Sequence, residues 1–288
     1  ERSILRTAST NAVSAVSHMS ATTMFQTKEK GGSVGPRNTP DSPVTTQTNA
    51  MLRLSEGLER LHRLEGQVYR EGACSLPGVS LCADFICACM KRAVSGGYVS
   101  EHHAEFVRQG LRFGFTAGVD VGLLRGRQRF RNYPIALEQR AAVSKALRAR
   151  VRAGKTICLG RFGVGDRDRL PWPNWRIFPQ GAVPKPLEPG TYRVTSDHSR
   201  TGVNEATDLT FLRHSITAYA DLERLLTPGA VLRVSDVEGA FPLLPLHPSV
   251  WPFFLLHWPD VDALDEDRKA PWMLYVNVCG DFGAAGMP

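Results

Sequence analysis

The chain has 288 residues, is 42% hydrophobic and 22% charged, and carries a formal net charge of +7, enough length for one large domain or two smaller ones. No apolar run approaches the ~20 residues of a membrane span, no charged-then-apolar leader opens the chain, and the six cysteines lack the paired spacing of a zinc site. These exclusions favour an intracellular protein, cytoplasmic or nuclear, with reduced thiols.

In chain order, residues 1–50 hold sixteen Ser/Thr and few large apolar groups, so a disordered tail is expected. Leu52, Leu54, Leu58, Leu61 and Leu64 recur at helical intervals and predict an amphipathic helix over 51–70. A second helix is expected from Leu76 to Ala93. Both belong to a helical, partly basic region spanning 51–155. From Arg108 to Arg169 there are fifteen Lys/Arg against four Asp/Glu. That density favours a polyanionic partner through counterion release; the plainer alternative is a solvated helical face with basic loops. A Gly-punctuated segment, Gly110 to Gly118, precedes Asn132-Tyr-Pro-Ile-Ala-Leu-Glu138, which opens a helix with Pro134 in its first turn. Val143, Leu147 and Val151 follow at spacing four, Arg and Lys fill the outer face, and Gly154 is the expected stop.

Beyond it, the Pro- and Trp-rich stretch Arg161 to Phe178 reads as a loop. Two strands are expected at Gln180–Pro186 and Thr191–Ser196, joined by the turn Glu188-Pro-Gly190. Thr210 to Leu226 is helical by pattern, and Val231 to Ser235 is a strand running into Asp236. The acidic run Asp260, Asp262, Asp265, Glu266, Asp267 reads as a solvated loop.

Three segments carry chemistry. In Val234-Ser-Asp-Val-Glu-Gly-Ala-Phe-Pro-Leu-Leu-Pro-Leu-His-Pro248, Asp236 ends an apolar strand and Phe241 follows five residues later. A carboxylate at the end of a strand suits a hard divalent cation, and the Val237 carbonyl could complete the contact. Taken singly, such an aspartate is more often a turn or cap residue. Forty-six residues beyond Asp236 comes Phe282-Gly-Ala-Ala-Gly-Met-Pro288, where Gly283 permits a close backbone approach. Upstream, Val183-Pro-Lys-Pro-Leu-Glu-Pro-Gly-Thr-Tyr-Arg-Val-Thr-Ser-Asp-His-Ser199 places Lys185 and Arg193 on a hairpin, and Gly202-Val-Asn204 follows.

In this order, these segments resemble the fingers hairpin and the first two palm motifs of a reverse transcriptase, an RNA-directed DNA polymerase of retroelements. The resemblance covers roughly residues 110 to 288. Its early part is similar to the region before the polymerase in tyrosine-recombinase (DIRS-like) elements. It implies an α+β fold over 156–288, the fingers and partial palm of a right-hand polymerase: a small antiparallel sheet backed by helices. It further implies Asp236 as the catalytic residue, with the Val237 carbonyl, on Mg2+ or Mn2+. Two such ions stand about 3.5–4 Å apart in two-metal transfer. Lys185 and Arg193 would hold the triphosphate of a deoxynucleotide, Phe241 would exclude a 2′-hydroxyl, and Phe282 with Gly283 would lie against the nascent pair. An RNA or DNA template-primer is the implied partner, with contacts from a basic helix over Ala136–Ala153.

Two departures qualify the match. Gly280-Asp281 stands where the family has Leu-Pro, and residues 1–288 contain no aromatic-x-Asp-Asp hairpin, the third palm motif. The chain is therefore expected to be a fragment with little turnover of its own. The alternative is a non-catalytic nucleic-acid-binding protein derived from a retroelement. A helical interaction module built on 51–155 would explain the first half but not the motif order.

Overall fold

Leu54, Gly57, Leu61 and Val68 fall on one side of a helix, and that side is buried in α1, Leu54–Glu71. The computed structural model describes residues 52–210, 240–263, 269–281 and 283–285. The expected N-terminal tail, the helix from Thr210 and the strand into Asp236 lie outside them, apart from Thr210 itself. A Cβ on Gly57 would sit 2.1 Å from the Leu159 carbonyl oxygen, so α1 rests directly on strand backbone.

The second helix starts later than its apolar pattern suggested, as α2, Ala83–Ser95. Pro77-Gly78 is held instead as a docking turn: a Cβ on Gly78 would lie 2.6 Å from the Gly154 carbonyl carbon. Helix α3, Glu101–Phe113, was not expected from the Gly-punctuated pattern. Its start is nonetheless written in Ser100, whose hydroxyl accepts from the His103 N–H at 3.2 Å. Pro134 opens a short α4, Pro134–Glu138. The basic helix expected as one piece over Ala136–Ala153 is broken at Gln139 (φ −96°, ψ 34°), and α5 runs Arg140–Arg152.

The strands are β1 Arg127–Arg129, β2 Thr156–Arg161, β3 Trp175–Phe178, β4 Gln180–Pro184, β5 Tyr192–Ser196, β6 Leu255–Pro259 and β7 Trp272–Asn277. Five form a mixed sheet in the order β1-β3-β6-β7-β2. Its β1-β3-β6 part is parallel, and β6-β7-β2 is antiparallel. The architecture is mixed α and β, as expected, but the sheet is not the purely antiparallel one foreseen. Two assignments are corrected here. The supposed loop Arg161–Phe178 contains β3, and β1, β2, β6 and β7 were overlooked. Trp175, Ile177 and Phe178 are fully buried in the sheet, and such a strand shows no alternation to read. The sheet draws strands from both sides of residue 155, and both α1 and α5 pack on β2.

Between β3 and β4 stands Pro179, which offers no N–H to a ladder. There the chain leaves the main sheet and enters a separate antiparallel hairpin, the one expected but with shorter strands, in which Gln180 lies opposite Ser196 and Pro184 opposite Tyr192. On β6, Trp258 donates its indole N–H to the Ser144 hydroxyl of α5 at 3.0 Å. Since neighbours on a strand alternate, His257 faces away from α5. The acidic run is not wholly solvated, because Asp260 is buried and accepts from the Asp262 N–H at 3.1 Å. Burial pushes the Asp260 carboxyl above its usual range. No helix among the described residues is long and apolar enough to cross a membrane.

Candidate functional site

The hairpin register decides where its cations go. Arg193 pairs with Val183, and the Lys185 N–H extends the ladder to the Thr191 carbonyl at 3.0 Å. Directly paired residues share a face, so Lys185 and Arg193 are diagonal neighbours on one side, with Cα atoms about 7–8 Å apart. The Glu188 carboxylate accepts from Lys185 Nζ at 2.8 Å and from the Thr191 hydroxyl at 3.1 Å. These bonds, chiefly the one from Lys185, hold its pKa below the ordinary range, and the Arg193 charge adds to the effect. Glu188 thus pairs with Lys185 and feels the Arg193 charge. The pair is solvent-exposed, so displacing it costs little.

Behind the hairpin lies a cavity of about 240 Å³ whose walls include Arg150, Arg193, Ser196, Pro242, Asn277 and Asp281. Pro242 belongs to the short 3-10 turn Phe241–Leu243, and Phe241 is half-buried against the core. A larger open groove, about 950 Å³, runs between Lys145, Arg148 and Arg152 of α5 and Lys185, Thr191 and Tyr192 of the hairpin.

The best-connected group in this region is Asp281. Its carboxylate accepts from Arg150 Nη1 at 2.8 Å, from Asn277 Nδ2 at 2.8 Å and from the Ser196 hydroxyl at 2.5 Å. Arg150 also donates to the Thr156 hydroxyl at 3.1 Å and to the Gly280 carbonyl at 3.3 Å, and Thr156 donates to Asn277 Oδ1 at 2.7 Å. Burial alone would raise the Asp281 pKa. The Arg150 charge, the nearby His198 and the Ser196 hydrogen bond outweigh it and keep the carboxyl well below the usual range. His198 Nε2 stands 3.7 Å from Asp281 Oδ2, too far for a hydrogen bond, with its ring between Phe178 and Phe254 at 4.5 and 4.8 Å.

Gly283 has φ +103°, and a Cβ there would fall 2.0 Å from the Ser196 carbonyl oxygen. Its close approach is thus made to the chain's own hairpin. Asn204 fixes the loop by donating to the Gly283 carbonyl at 2.9 Å and accepting from the Ala285 N–H at 2.8 Å.

Of the expected site residues, Lys185, Arg193, Phe241 and Gly283 are placed around this hairpin and its base. Asp236, Val237 and Phe282 lie outside the described residues. Among the described residues no group of three or more His, Cys, Asp or Glu is arranged to hold a metal ion. Asp281 on the cavity wall is already committed to Arg150, Asn277 and Ser196.

Sequence reasoning missed Arg150, Ser196, Asn277 and the bonding role of Asp281. One signal was present: Arg150 follows Val143 and Leu147 at spacings of four and three, on the buried side of α5. No family model and no curated protein matches the chain.

Proposed function

We propose that residues 156–288 are the fingers and first part of the palm of an RNA-directed DNA polymerase, preceded by a helical, partly basic region, that binds deoxynucleoside triphosphates and a template-primer. The observation that carries this reading is convergence. Arg193, Pro242 and Asp281, from three separate motifs, line one cavity, and Gly283 is seated on Ser196 at the end of the hairpin. Phosphates fit the Lys185–Arg193 face because a planar guanidinium and an ammonium both favour anionic oxygens. A triphosphate there would displace Glu188. Asp236 and the Val237 carbonyl would hold a magnesium or manganese ion, whose chemistry is to stabilise the attacking and leaving oxygens of the transfer. Phe241 would select the deoxy sugar, and Phe282 would pack at the nascent pair.

The α5–hairpin groove supplies the cationic track expected for a template or primer strand. The second reading is a non-catalytic nucleic-acid-binding protein from the same source. Gly280-Asp281 gave it support, but Asp281 has matched partners in Arg150, Asn277 and Ser196. Asp281 is therefore a structural fixture of this fold, and the polymerase reading is preferred for the convergence of motif residues on one cavity.

The test for this chain is nucleotide binding in the presence of template-primer. Lys185→Ala with Arg193→Ala should weaken deoxynucleoside triphosphate binding by about 100-fold or more, since each lost charge-assisted contact is worth roughly 1.5–3 kcal/mol. Asp236→Ala should abolish primer extension in a polypeptide that also carries the third palm motif. Undiminished nucleotide affinity in the double variant would rule out the triphosphate assignment.

A further inference from the structure

The basic stretch that looked uniform in sequence is divided by the fold. The α5 cations lie on the Trp258 side of the sheet. The alternating arginines of Arg127-Gln-Arg-Phe-Arg131 lie on and just after edge strand β1. Arg129 reaches across to His257, its Nη2 donating to Nδ1 at 2.9 Å, while His257 Nε2 bonds the Phe162 carbonyl at 2.9 Å. That pair of bonds sets a neutral ring with its proton on Nε2. Burial, with Arg129 adding to it, depresses the His257 pKa to about 4.

Arg129 is half-buried against a neutral partner. Arg167 and Arg131 are close enough to add their repulsion to the burial that lowers its pKa. The neighbouring Arg127 and Arg169 have Asp168 and Asp166. Among the described residues, no carboxylate pairs with Arg129, Arg131 or Arg167. Arg127, Arg129, Arg131, Arg167 and Arg169 thus outnumber the two carboxylates among them, Asp166 and Asp168, and the excess positive charge favours an anion.

An aromatic surface adjoins them. Trp272 stacks on His257 with centroids 4.8 Å apart and planes 22° apart, yet it remains 40% exposed. Phe162 closes the other side of His257 edge-on at 5.7 Å. The supported indole is a rigid platform whose free surface could take a base.

We infer that Arg129, Arg131, Arg167 and Trp272 form a second nucleic-acid contact, on the face of the sheet away from α5, that takes single-stranded RNA or DNA. The guanidinium groups hold phosphates and Trp272 stacks an unpaired base. Exposed aromatics favour a single strand over a duplex, because paired bases keep their faces covered. The site is independent of the polymerase reading, since it uses neither the hairpin cations nor Asp236.

The experiment is a fluorescence titration of the full chain with a labelled single-stranded RNA of mixed sequence, about twenty nucleotides long, at several salt concentrations. Arg131→Gln with Arg167→Gln should weaken binding by about 10-fold. It should also flatten the slope of log K against log salt by roughly 1.4, the value for two phosphate contacts on a single strand. Trp272→Leu should cost about 10-fold with the slope unchanged, as expected for lost stacking. Deoxynucleoside triphosphate affinity should stay the same in both variants, which separates this site from the hairpin. Unfolding midpoints within error of the parent would establish that both variants fold. Unchanged RNA binding would overturn the proposal and leave the arginines as guards against strand pairing at the sheet edge. Equal affinity for duplex and single strand, insensitive to Trp272→Leu, would also overturn it.

Discussion

Asp281→Asn is expected to destabilise the protein by about 3–5 kcal/mol, the loss typical of breaking a buried ion pair from one side. The Arg150 side chain is 18% exposed and that of Asp281 is 7% exposed, so water cannot replace the missing charge. The amide preserves the shape and can still accept from Ser196, but it leaves Arg150 without a counter-charge. Urea unfolding measures the effect as a shift in midpoint. Arg150→Met with Asp281→Leu should recover much of the loss, because removing both charges also removes their desolvation cost. A loss under about 1 kcal/mol for Asp281→Asn would mean that the pair contributes no more than a surface one.

The pH dependence has a definite sign. The folded-state pKa of Asp281 is depressed, so its stabilisation is complete above the unfolded carboxylate value of about 3.9. Stability is then lost as pH falls from there toward the folded value. Asp281→Asn should remove this component of acid unfolding. The parent should carry it only below about pH 4.

Gly283→Ala is the second large effect, with an expected loss of about 3 kcal/mol or more. Strain at positive φ and overpacking contribute about 1–3 kcal/mol each. The new Cβ would sit 2.0 Å from the Ser196 carbonyl oxygen, which is strand backbone and cannot swing aside. Relief therefore requires moving the loop that Asn204 holds through Gly283 and Ala285. Gly202→Ala is the matched control. Its φ is +76°, but nothing lies within 4 Å of its added Cβ. It should show the backbone strain alone, about 1 kcal/mol. Nucleotide binding should fall along with stability in Gly283→Ala and stay intact in Gly202→Ala. Equal losses in the two variants would mean that the Ser196 approach has slack.

Both effects arise where the hairpin meets the end of β7, and that junction explains what was readable in advance. Helix α1 could be read from its leucines, because an amphipathic helix repeats its burial every few residues. The β4–β5 hairpin could be read from its Pro-Gly turn, and Pro134 marked the start of α4 by its own backbone chemistry. The order of the motif residues and the positions of Lys185 and Arg193 are local facts of the chain. Each of these depends on residues close together in sequence.

The tertiary structure decided the rest. Strand β3 exists because Trp175 to Phe178 are sandwiched between β1 and β6, partners about 50 and 80 residues away. Asp281 looked like a departure from a family pattern until Arg150, 131 positions earlier, was placed beside it. The basic stretch became two surfaces only when alternation on β6 set Trp258 toward α5 and His257 toward Arg129. Local periodicity records which side of an element is apolar, whereas buried charge pairing and strand order depend on which distant segment arrives to meet it.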